Sequence, residues 1–295
     1  MIEPPAPLVV AMLNRKGGVG KSSCCMHLGG SFARSGKRVL LIDMDPQASL
    51  TQGFFGPQAT EALDHRDTVV ALFDDRCDPD PSRIIRQTAF DRLSIASGSN
   101  GLERHNVPEP EAAGEYQRVL RTFVREALPA FDVILIDCPP NLHLCSWNAL
   151  LAADWVMVPL QAEDYGAQGI THVQRAIDAA LAKYNPTLRL LGYLVSMFQR
   201  RLGVHAAYDH QLRQLYADDV FTGFVPAAKD FKEAVAARRP LSVYKPRSTS
   251  ALAMDAIAAE MVARATRLAA EAPKFLHPDN RAGIGPEAGR ARKAG

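Results

Sequence analysis

The stretch LVVAMLNRKGGVGKSS, residues 8–23, decides the fold. Its first six residues form an apolar run of β-strand length, a glycine-rich loop follows, and a helix is predicted to begin at Ser22. Glycines allow the loop backbone to turn its N–H groups inward without clashes from Cβ atoms, and the amino end of the helix adds positive potential. Strand, loop and helix in this order predict a loop that binds the phosphates of a nucleotide.

Individual residues of this loop have predictable roles. Lys21 is placed to reach the β- and γ-phosphates, and the Ser22 hydroxyl can be a ligand of Mg²⁺. The common pattern G-x-x-x-x-G-K-[ST] has glycine where this sequence has Arg15, and it does not require the additional lysine, Lys16. We predict that the nucleotide is bound by Lys16, Gly17, Gly18, Val19, Gly20, Lys21, Ser22 and Ser23.

Apolar runs rich in β-branched residues recur along the chain, with helix-like stretches between most of them. This alternation predicts a single three-layer α/β domain, in which a mostly parallel twisted sheet is flanked by helices. In such sheets ligands bind at the carboxyl ends of the strands. The predicted strands are Leu8–Leu13, Arg38–Ile42, Val133–Ile136, Trp155–Val158 and Leu188–Val195.

The remaining segments are assigned from turn signals and composition. Residues 58–106 contain several turn signals and are predicted to be variable peripheral structure. Residues 251–270 are rich in alanine and predict a final helix that packs on the sheet. We expect one P-loop domain over residues 1–272, and a disordered tail over residues 273–295, where Gly, Pro, Ala and Arg dominate.

Composition excludes several classes of protein. The chain has 295 residues, 47% of them hydrophobic, which is enough for one large globular domain. A formal net charge of +2 is too small to indicate a nucleic-acid binder, so any DNA contact needs a local basic patch. The five cysteines lack zinc-ligand spacing and are predicted to be buried thiols. We expect a cytoplasmic protein, since neither a signal peptide nor a membrane span is recognisable.

Two predicted strands end in acids. The second strand is followed by Asp43-Met44-Asp45, and the strand at Val133 by Asp137. An acid at a strand end beside a phosphate-binding loop can hold Mg²⁺, which suits Asp137, and a second acid can orient the attacking water, which suits Asp45. Either acid alone could instead cap the helix that follows it.

These motifs together resemble those of the ParA/Soj-type partitioning ATPases of the ParA/MinD superfamily, in their usual order. The resemblance extends from Val9 to about Leu268 and includes the family's deviant Walker A motif with its extra lysine. The stretches that carry it are KGGVGKS (16–22), GKRVLLIDMDPQ (36–47), LIDCPP (135–140) and PLQAEDY (159–165), the last followed by Gly169.

The resemblance implies an ATPase that needs Mg²⁺, converts ATP to ADP and phosphate, and forms a homodimer around ATP. Lys16 corresponds to the lysine that reaches the partner's nucleotide, and Lys21 to the phosphate lysine. Asp45 matches the residue needed for hydrolysis, and Asp137 the Walker B acid. Pro226 lies in a segment that resembles the family's and is expected at the nucleotide.

ParA relatives bind DNA non-specifically as ATP dimers. By resemblance, Arg201 is the best candidate for a DNA contact, with Arg200 beside it. The family carries Arg and Asn straight after the proline of the later segment, whereas this chain has Ala227 and Ala228. Phosphate contacts need charge without fixed base geometry, so nearby basic residues can replace them. The candidates are Arg238, Arg239, Lys245 and Arg247, with Lys229 and Lys232 close by. A solvated surface is the alternative for all of them.

The sequence therefore predicts an ATPase that partitions or positions DNA, with hydrolysis stimulated by a ParB-like adaptor and nucleoid association in the ATP state. One alternative keeps the mechanism and changes the cargo to a large protein assembly. Another is a metabolic or cofactor-assembly ATPase on the same fold, such as a carboxylate ligase or an iron–sulfur carrier. Membrane binding is not expected, because the tail lacks an amphipathic helix with bulky apolar residues.

Overall fold

The computed structural model describes residues 6–75, 79–162 and 167–271, and the side chains of 167–169 are not considered. The predicted tail at 273–295, Cys77 and part of the 159–165 motif lie outside the described residues. Within those bounds the chain forms one seven-stranded sheet covered by helices. The strands are β1 (Leu8–Met12), β2 (Val39–Asp43), β3 (Ile85–Gln87), β4 (Leu93–Ala96), β5 (Val133–Asp137), β6 (Trp155–Gln161) and β7 (Arg189–Ser196).

The sheet has the strand order β3-β4-β2-β5-β1-β6-β7, and β3 alone is antiparallel to its neighbour. β1 and β5 lie at its centre, and every residue of both strands is buried. An uninterrupted apolar strand such as Val133–Asp137 suits this position because helices cover both of its faces. The mostly parallel α/β fold predicted from the sequence is confirmed.

The helices divide the core into two parts. α5, α6 and α7 cover one face of the sheet, and α1 and α11 pack together on the other. Two large apolar clusters fill the space between helices and sheet, which gives the three predicted layers. The helices are α1 (Lys21–Arg34), α2 (Ser49–Phe55), α3 (Pro57–Glu61), α4 (Pro81–Ile84), α5 (Val119–Ala127), α6 (Leu144–Ala152), α7 (Ala167–Lys183), α8 (Gly203–Tyr216), α9 (Lys229–Ala236), α10 (Leu241–Tyr244) and α11 (Thr249–Ala270).

The prediction for residues 58–106 was wrong in one respect. This segment is not merely peripheral, because it contributes β4, whose four residues are all buried and pair in parallel with β2. It also contributes the antiparallel edge strand β3. Both strands are shorter than the mean strand of about five to six residues and are flanked by turn signals, so the sequence pattern alone did not reveal them.

Four of the five cysteines, Cys24, Cys25, Cys138 and Cys145, are free buried thiols, as predicted. Burial is the main cause that raises the pKa of each of these thiols. Among the described residues, no helix is long and apolar enough to cross a membrane.

Candidate nucleotide site

The glycine-rich loop joins the end of β1 to the start of α1. Gly18 and Gly20 have φ angles of 77° and 91°, in the left-handed region that favours glycine. No atom lies within 4 Å of a Cβ placed on Gly18, so backbone conformation and not space requires glycine there. Gly20 directly precedes α1, so the free N–H groups at the amino end of that helix point into the loop.

Lys21 points into this loop. Its side chain is only 6% exposed, and its Nζ donates hydrogen bonds to the carbonyl oxygens of Asn14 and Lys16, both at 3.1 Å. The ammonium group is therefore held where the loop backbone encloses it. A phosphate oxygen entering the loop can replace these carbonyl acceptors with a charged one, which makes a stronger hydrogen bond.

Asn14 is a structural residue of the site that the sequence analysis missed. Its Nδ2 donates to the carbonyl oxygen of Pro159 on β6 at 2.7 Å, and its Oδ1 accepts from the backbone N–H of Lys16 at 2.9 Å. Ser196, at the end of β7, has a similar role, because its Oγ donates to the carbonyl oxygen of Val19 at 2.8 Å. Both side chains are buried and fix the loop to the ends of neighbouring strands. Asn14 and Ser196 each directly follow a predicted strand, and this position is the feature of the sequence from which their role could have been predicted.

Asp137, the last residue of β5, lies beneath the loop. It is fully buried, and neither carboxylate oxygen has a hydrogen-bond partner of good geometry among the described residues. Its pKa is raised well above the usual range by burial and by the neighbouring Asp43, although the Ser22 hydroxyl approaches closely enough to lower it. A buried carboxylate without donors is costly unless a cation neutralises it. The oxygen atoms of Asp137 and Ser22 are therefore suitable ligands for a hard cation such as Mg²⁺.

Asp43, the last residue of β2, is also fully buried, but its carboxylate is satisfied. It accepts hydrogen bonds from the backbone N–H and Oγ1 of Thr51, at 2.8 and 2.7 Å, and from the N–H of Asp45 at 3.2 Å. Burial is the main cause that raises its pKa to about 6, against the effect of these donors. Asp43 therefore holds the turn after β2 in place through these hydrogen bonds.

Asp45 lies one residue beyond that turn, at the mouth of the site. It is 8% exposed, and its Oδ1 accepts from the backbone N–H of Gln47 at 2.9 Å. Its charge contributes to the raised pKa of Asp137, so the two carboxylates are close in space. The structure thus brings Lys21, Ser22, Asp45 and Asp137 to one edge of the sheet, as the sequence predicted. Lys16 is exposed on the outer side of the loop.

The basic residues predicted to bind DNA do not form one cluster. Arg200 and Arg201 are exposed on the loop after β7, and the Arg200 guanidinium lies 4.9 Å from the Phe224 ring centroid. This loop is next to the nucleotide site, since the Met197 side chain reaches to 4.0 Å from a Cβ placed on Gly20. Pro226 is half-buried and forms a β-bridge with Phe198 in the same region.

The other predicted DNA contacts lie elsewhere. Arg34, in the last turn of α1, donates to the carbonyl oxygen of Pro246, which stands between Lys245 and Arg247. Lys245 and Arg247 therefore flank a residue that contacts the last turn of α1, the end of that helix away from the nucleotide loop. The Lys245 Nζ is already paired with Asp230 at 2.8 Å and with Glu233 at 2.5 Å. Arg238 and Arg239 are exposed just after α9, and the Arg238 guanidinium lies against Gly56 at the end of α2.

Comparison with known proteins identifies the family. A family model described as an AAA domain matches residues 8–190. Soj, the sporulation initiation inhibitor protein of Bacillus subtilis, is 31% identical over 258 residues, which cover 86% of this chain and 98% of Soj. The chromosome-partitioning ATPase Soj of Thermus thermophilus is 33% identical over 257 residues, 86% of this chain and 95% of the relative. This chain belongs to the Soj/ParA family of P-loop ATPases.

Solved structures agree on the fold of this Soj/ParA family member. Cobyrinic acid a,c-diamide synthase from Mycobacterium smegmatis, with bound ADP and magnesium, superposes with a TM-score of 0.72 at 25% identity. The alignment covers 92% of this chain and all of the synthase chain. A putative plasmid partition protein from Borrelia burgdorferi, bound to AMPPNP, has a TM-score of 0.71 at 20% identity, over 89% of this chain and 99% of its own. At 20% identity, the similarity to the Borrelia protein shows a shared fold alone.

Proposed function

We propose that this protein is an ATP-dependent dimerising ATPase that binds DNA non-specifically and partitions or positions DNA or another large cargo, with hydrolysis stimulated by a ParB-like adaptor protein. The observation that carries the proposal is the convergence of Lys21, Asp45 and the orphaned carboxylate of Asp137 at one edge of the sheet, with Lys16 exposed beside them. These residues form the phosphate, water and metal positions that hydrolysis of ATP requires.

Each residue of the site has a separate role in the hydrolysis of ATP. Lys21 exchanges its carbonyl partners for the β- and γ-phosphates. Ser22 and Asp137 would hold Mg²⁺, which would neutralise phosphate charge when bound. Asp45 orients the attacking water. Asp43 keeps Asp45 in position through the hydrogen bond from the Asp45 N–H. Because Lys16 matches the extra lysine of the family's deviant Walker A motif, we assign this residue to the nucleotide of a second protomer.

The surface beside the loop supports self-association. Three apolar side chains that follow β7 are exposed: Met197 at 37%, Leu202 at 39% and Val204 at 64%. Exposed apolar residues grouped at one place mark interaction surfaces. A second protomer that covers them brings its own Lys16 to this site. It also doubles the number of exposed Arg200 and Arg201 side chains, and such avidity makes DNA binding depend on ATP.

Binding to random-sequence duplex DNA at moderate salt, with ATP or ADP, tests this function. We expect ATP-dependent binding that the double variant Arg200→Ala/Arg201→Ala loses. Lys245→Ala is the matched control, since it removes a basic residue that is already paired with Asp230 and Glu233 on α9. Binding that is equal with ATP and ADP, or that survives the double substitution, contradicts the proposal.

A second candidate is a metabolic ATPase that does not bind DNA. The observation in its favour is the likeness to cobyrinic acid a,c-diamide synthase at 25% identity over 92% of the chain. The same experiment separates the two functions, because the metabolic alternative predicts intact ATP hydrolysis with no DNA binding in either nucleotide.

A further inference from the structure

A cleft on the helical layer opposite α1 has no role in the nucleotide site. It lies between α6, α7 and a short 3-10 turn, Pro110–Ala112, and its volume is about 380 Å³. Its floor and walls are apolar and include Leu142, Trp147, Leu150 and Ala176. This volume accommodates one or two large apolar side chains of an incoming segment.

The rim of the cleft is acidic. Glu109 and Glu111 are exposed at its edge, and the Glu111 carboxylate is 3.9 Å from Lys183, with both side chains at least half exposed. An ion pair this exposed holds its partners weakly. Among the described residues Glu109 has no ion-pair partner. A second depression, on the other side of the same turn, is lined by Asp74, Asp75 and Glu115. Asp74 is 3.8 Å from Arg104, and Asp75 accepts a hydrogen bond from the Tyr116 hydroxyl. The acidic character at the cleft itself therefore comes from Glu109 and Glu111.

The cleft is connected to the metal-binding acid. Leu142, in its wall, follows Asp137 by five residues in the loop after β5. The segment that leads into the acidic rim is hydrogen-bonded to the same loop and to the start of α6. The bonds run from the Leu144 N–H to the Val107 carbonyl at 3.0 Å and from the Cys145 N–H to Asn106 Oδ1 at 3.0 Å. Asp137 itself belongs to β5, so a group that occupies the cleft contacts the segment that joins the end of this strand to α6.

We propose that this cleft docks a basic segment of the adaptor protein, with one bulky apolar side chain in the cleft and its Lys or Arg residues on Glu109 and Glu111. Charge complementarity selects a basic segment, and the apolar walls select an anchoring side chain. The proposal rests on the proposed function, which supplies the adaptor. It adds the place where the adaptor binds, beside the segment that joins β5 to α6.

The acidic rim argues against a nucleotide or another phosphate compound as the occupant, because like charges repel and the Lys183 ammonium at the rim is already paired with Glu111. Asp137 precedes the loop that contributes Leu142, and Lys21 lies in the separate glycine-rich loop before α1. Docking therefore leaves the site open to ATP, as a stimulating partner requires.

The probe for the test is a synthetic peptide of alternating lysine and glycine with one central leucine, labelled for fluorescence anisotropy. We expect it to bind the full-length protein and to change the fluorescence of Trp147, which lines the cleft. Glu109→Lys/Glu111→Lys should weaken binding at least tenfold, and Ala176→Phe, which fills the cleft, should remove the advantage of the leucine peptide over a serine peptide. Glu126→Lys, on the exposed side of α5, is the matched charge control and should bind as the wild type does.

Equal peptide affinity in the wild type and both cleft variants would overturn the proposal, and so would an absence of binding to the wild type. Tighter peptide binding after deletion of residues 272–295 would also overturn it, because the chain's own basic tail would then be the occupant. ATP-dependent DNA binding, measured on the same preparations, separates this inference from the proposed function. If only the proposed function is wrong, the peptide still binds at the cleft and ATP-dependent DNA binding is absent. If only the docking proposal is wrong, ATP-dependent DNA binding is present and the peptide does not bind at the cleft.

Discussion

Asp43 and Asp137 are direct register partners on the adjacent strands β2 and β5, so two fully buried carboxyl groups lie side by side beneath the nucleotide loop. Burial is the main cause that raises the pKa of both groups, and the charge of Asp43 raises the pKa of Asp137 further. Asp43 is satisfied by Thr51 and Asp45, whereas Asp137 has no donor of good geometry among the described residues. This asymmetry assigns Asp43 to structure and Asp137 to the cation.

The buried pair predicts how stability depends on pH in the metal-free protein. The pKa of Asp43 is about 6 in the folded protein against an ordinary value of 3.8, so the folded protein binds this proton more tightly. The contribution of Asp43 to the free energy of unfolding is complete below pH 3.8 and is lost as the pH rises through about 6. Asp137 acts in the same direction. Thermal unfolding in EDTA should show that the loss of stability across this range is larger in the wild type than in Asp43→Asn. Identical pH profiles of the two proteins would contradict the assignment.

Asn14→Ala should destabilise the protein by about 1–3 kcal/mol, because it leaves the Pro159 carbonyl and the Lys16 N–H without their partner in a buried place. It should also weaken binding of ATP by loosening the loop. Urea unfolding and nucleotide titration measure the two effects. Asn100→Ala is the control, since Asn100 is exposed and its side chain makes no hydrogen bond within the described part of the chain. A fully stable Asn14→Ala variant would mean that the loop does not depend on this anchor.

Lys16→Ala should keep most of the affinity for ATP in the monomer and lose the turnover that depends on dimerisation. The physical reason is that the Lys16 side chain is exposed outside its own loop, whereas Lys21 is enclosed by it. Lys21→Ala should instead lose nucleotide binding itself. Equilibrium binding of a fluorescent ATP analogue, together with the rate of phosphate release, distinguishes the two lysines. If Lys16→Ala retained wild-type turnover, Lys16 would have no role across the dimer.

DNA binding in the ATP state should weaken steeply as salt concentration rises, because binding to DNA phosphates releases counterions. Arg201→Ala should lower the slope of log K against log salt by about one for each phosphate that the variant no longer neutralises. Arg247→Ala should leave the slope unchanged if only the loop after β7 binds DNA. The measurement is anisotropy of labelled duplex across a salt series. A salt slope that Arg247→Ala reduces and Arg201→Ala does not would place the DNA surface at the far end of α1.

The nucleotide site could be predicted from sequence because its parts are local. The strand, the glycine loop and the start of the helix all fall within residues 8–23, and Asp45 and Asp137 each follow an unmistakable buried strand. The central strands were likewise visible as uninterrupted apolar runs. β3 and β4 were missed because they are short, and because the burial of β4 depends on pairing with β2, a strand distant in sequence.

Contacts between distant segments could not be predicted in the same way. Asn14 and Ser196 support the loop through hydrogen bonds to residues 145 and 177 positions away. The acidic cleft combines residues from 109–112, 142–150 and 176, which only the packing of α6 against α7 brings together. The separation of Arg201 from Lys245 likewise depends on the course of α1, which the spacing of basic residues along the sequence does not reveal.

The central claim is that hydrolysis of ATP releases the protein from DNA, and Asp45 tests it most directly. The measurement is the rate at which the protein leaves random-sequence duplex DNA once free ATP has been removed, for the wild type and for Asp45→Ala. The account predicts that the wild type dissociates as phosphate is released, whereas Asp45→Ala stays bound as an ATP dimer. Equal dissociation rates for the two proteins, with phosphate release abolished in Asp45→Ala, would contradict it.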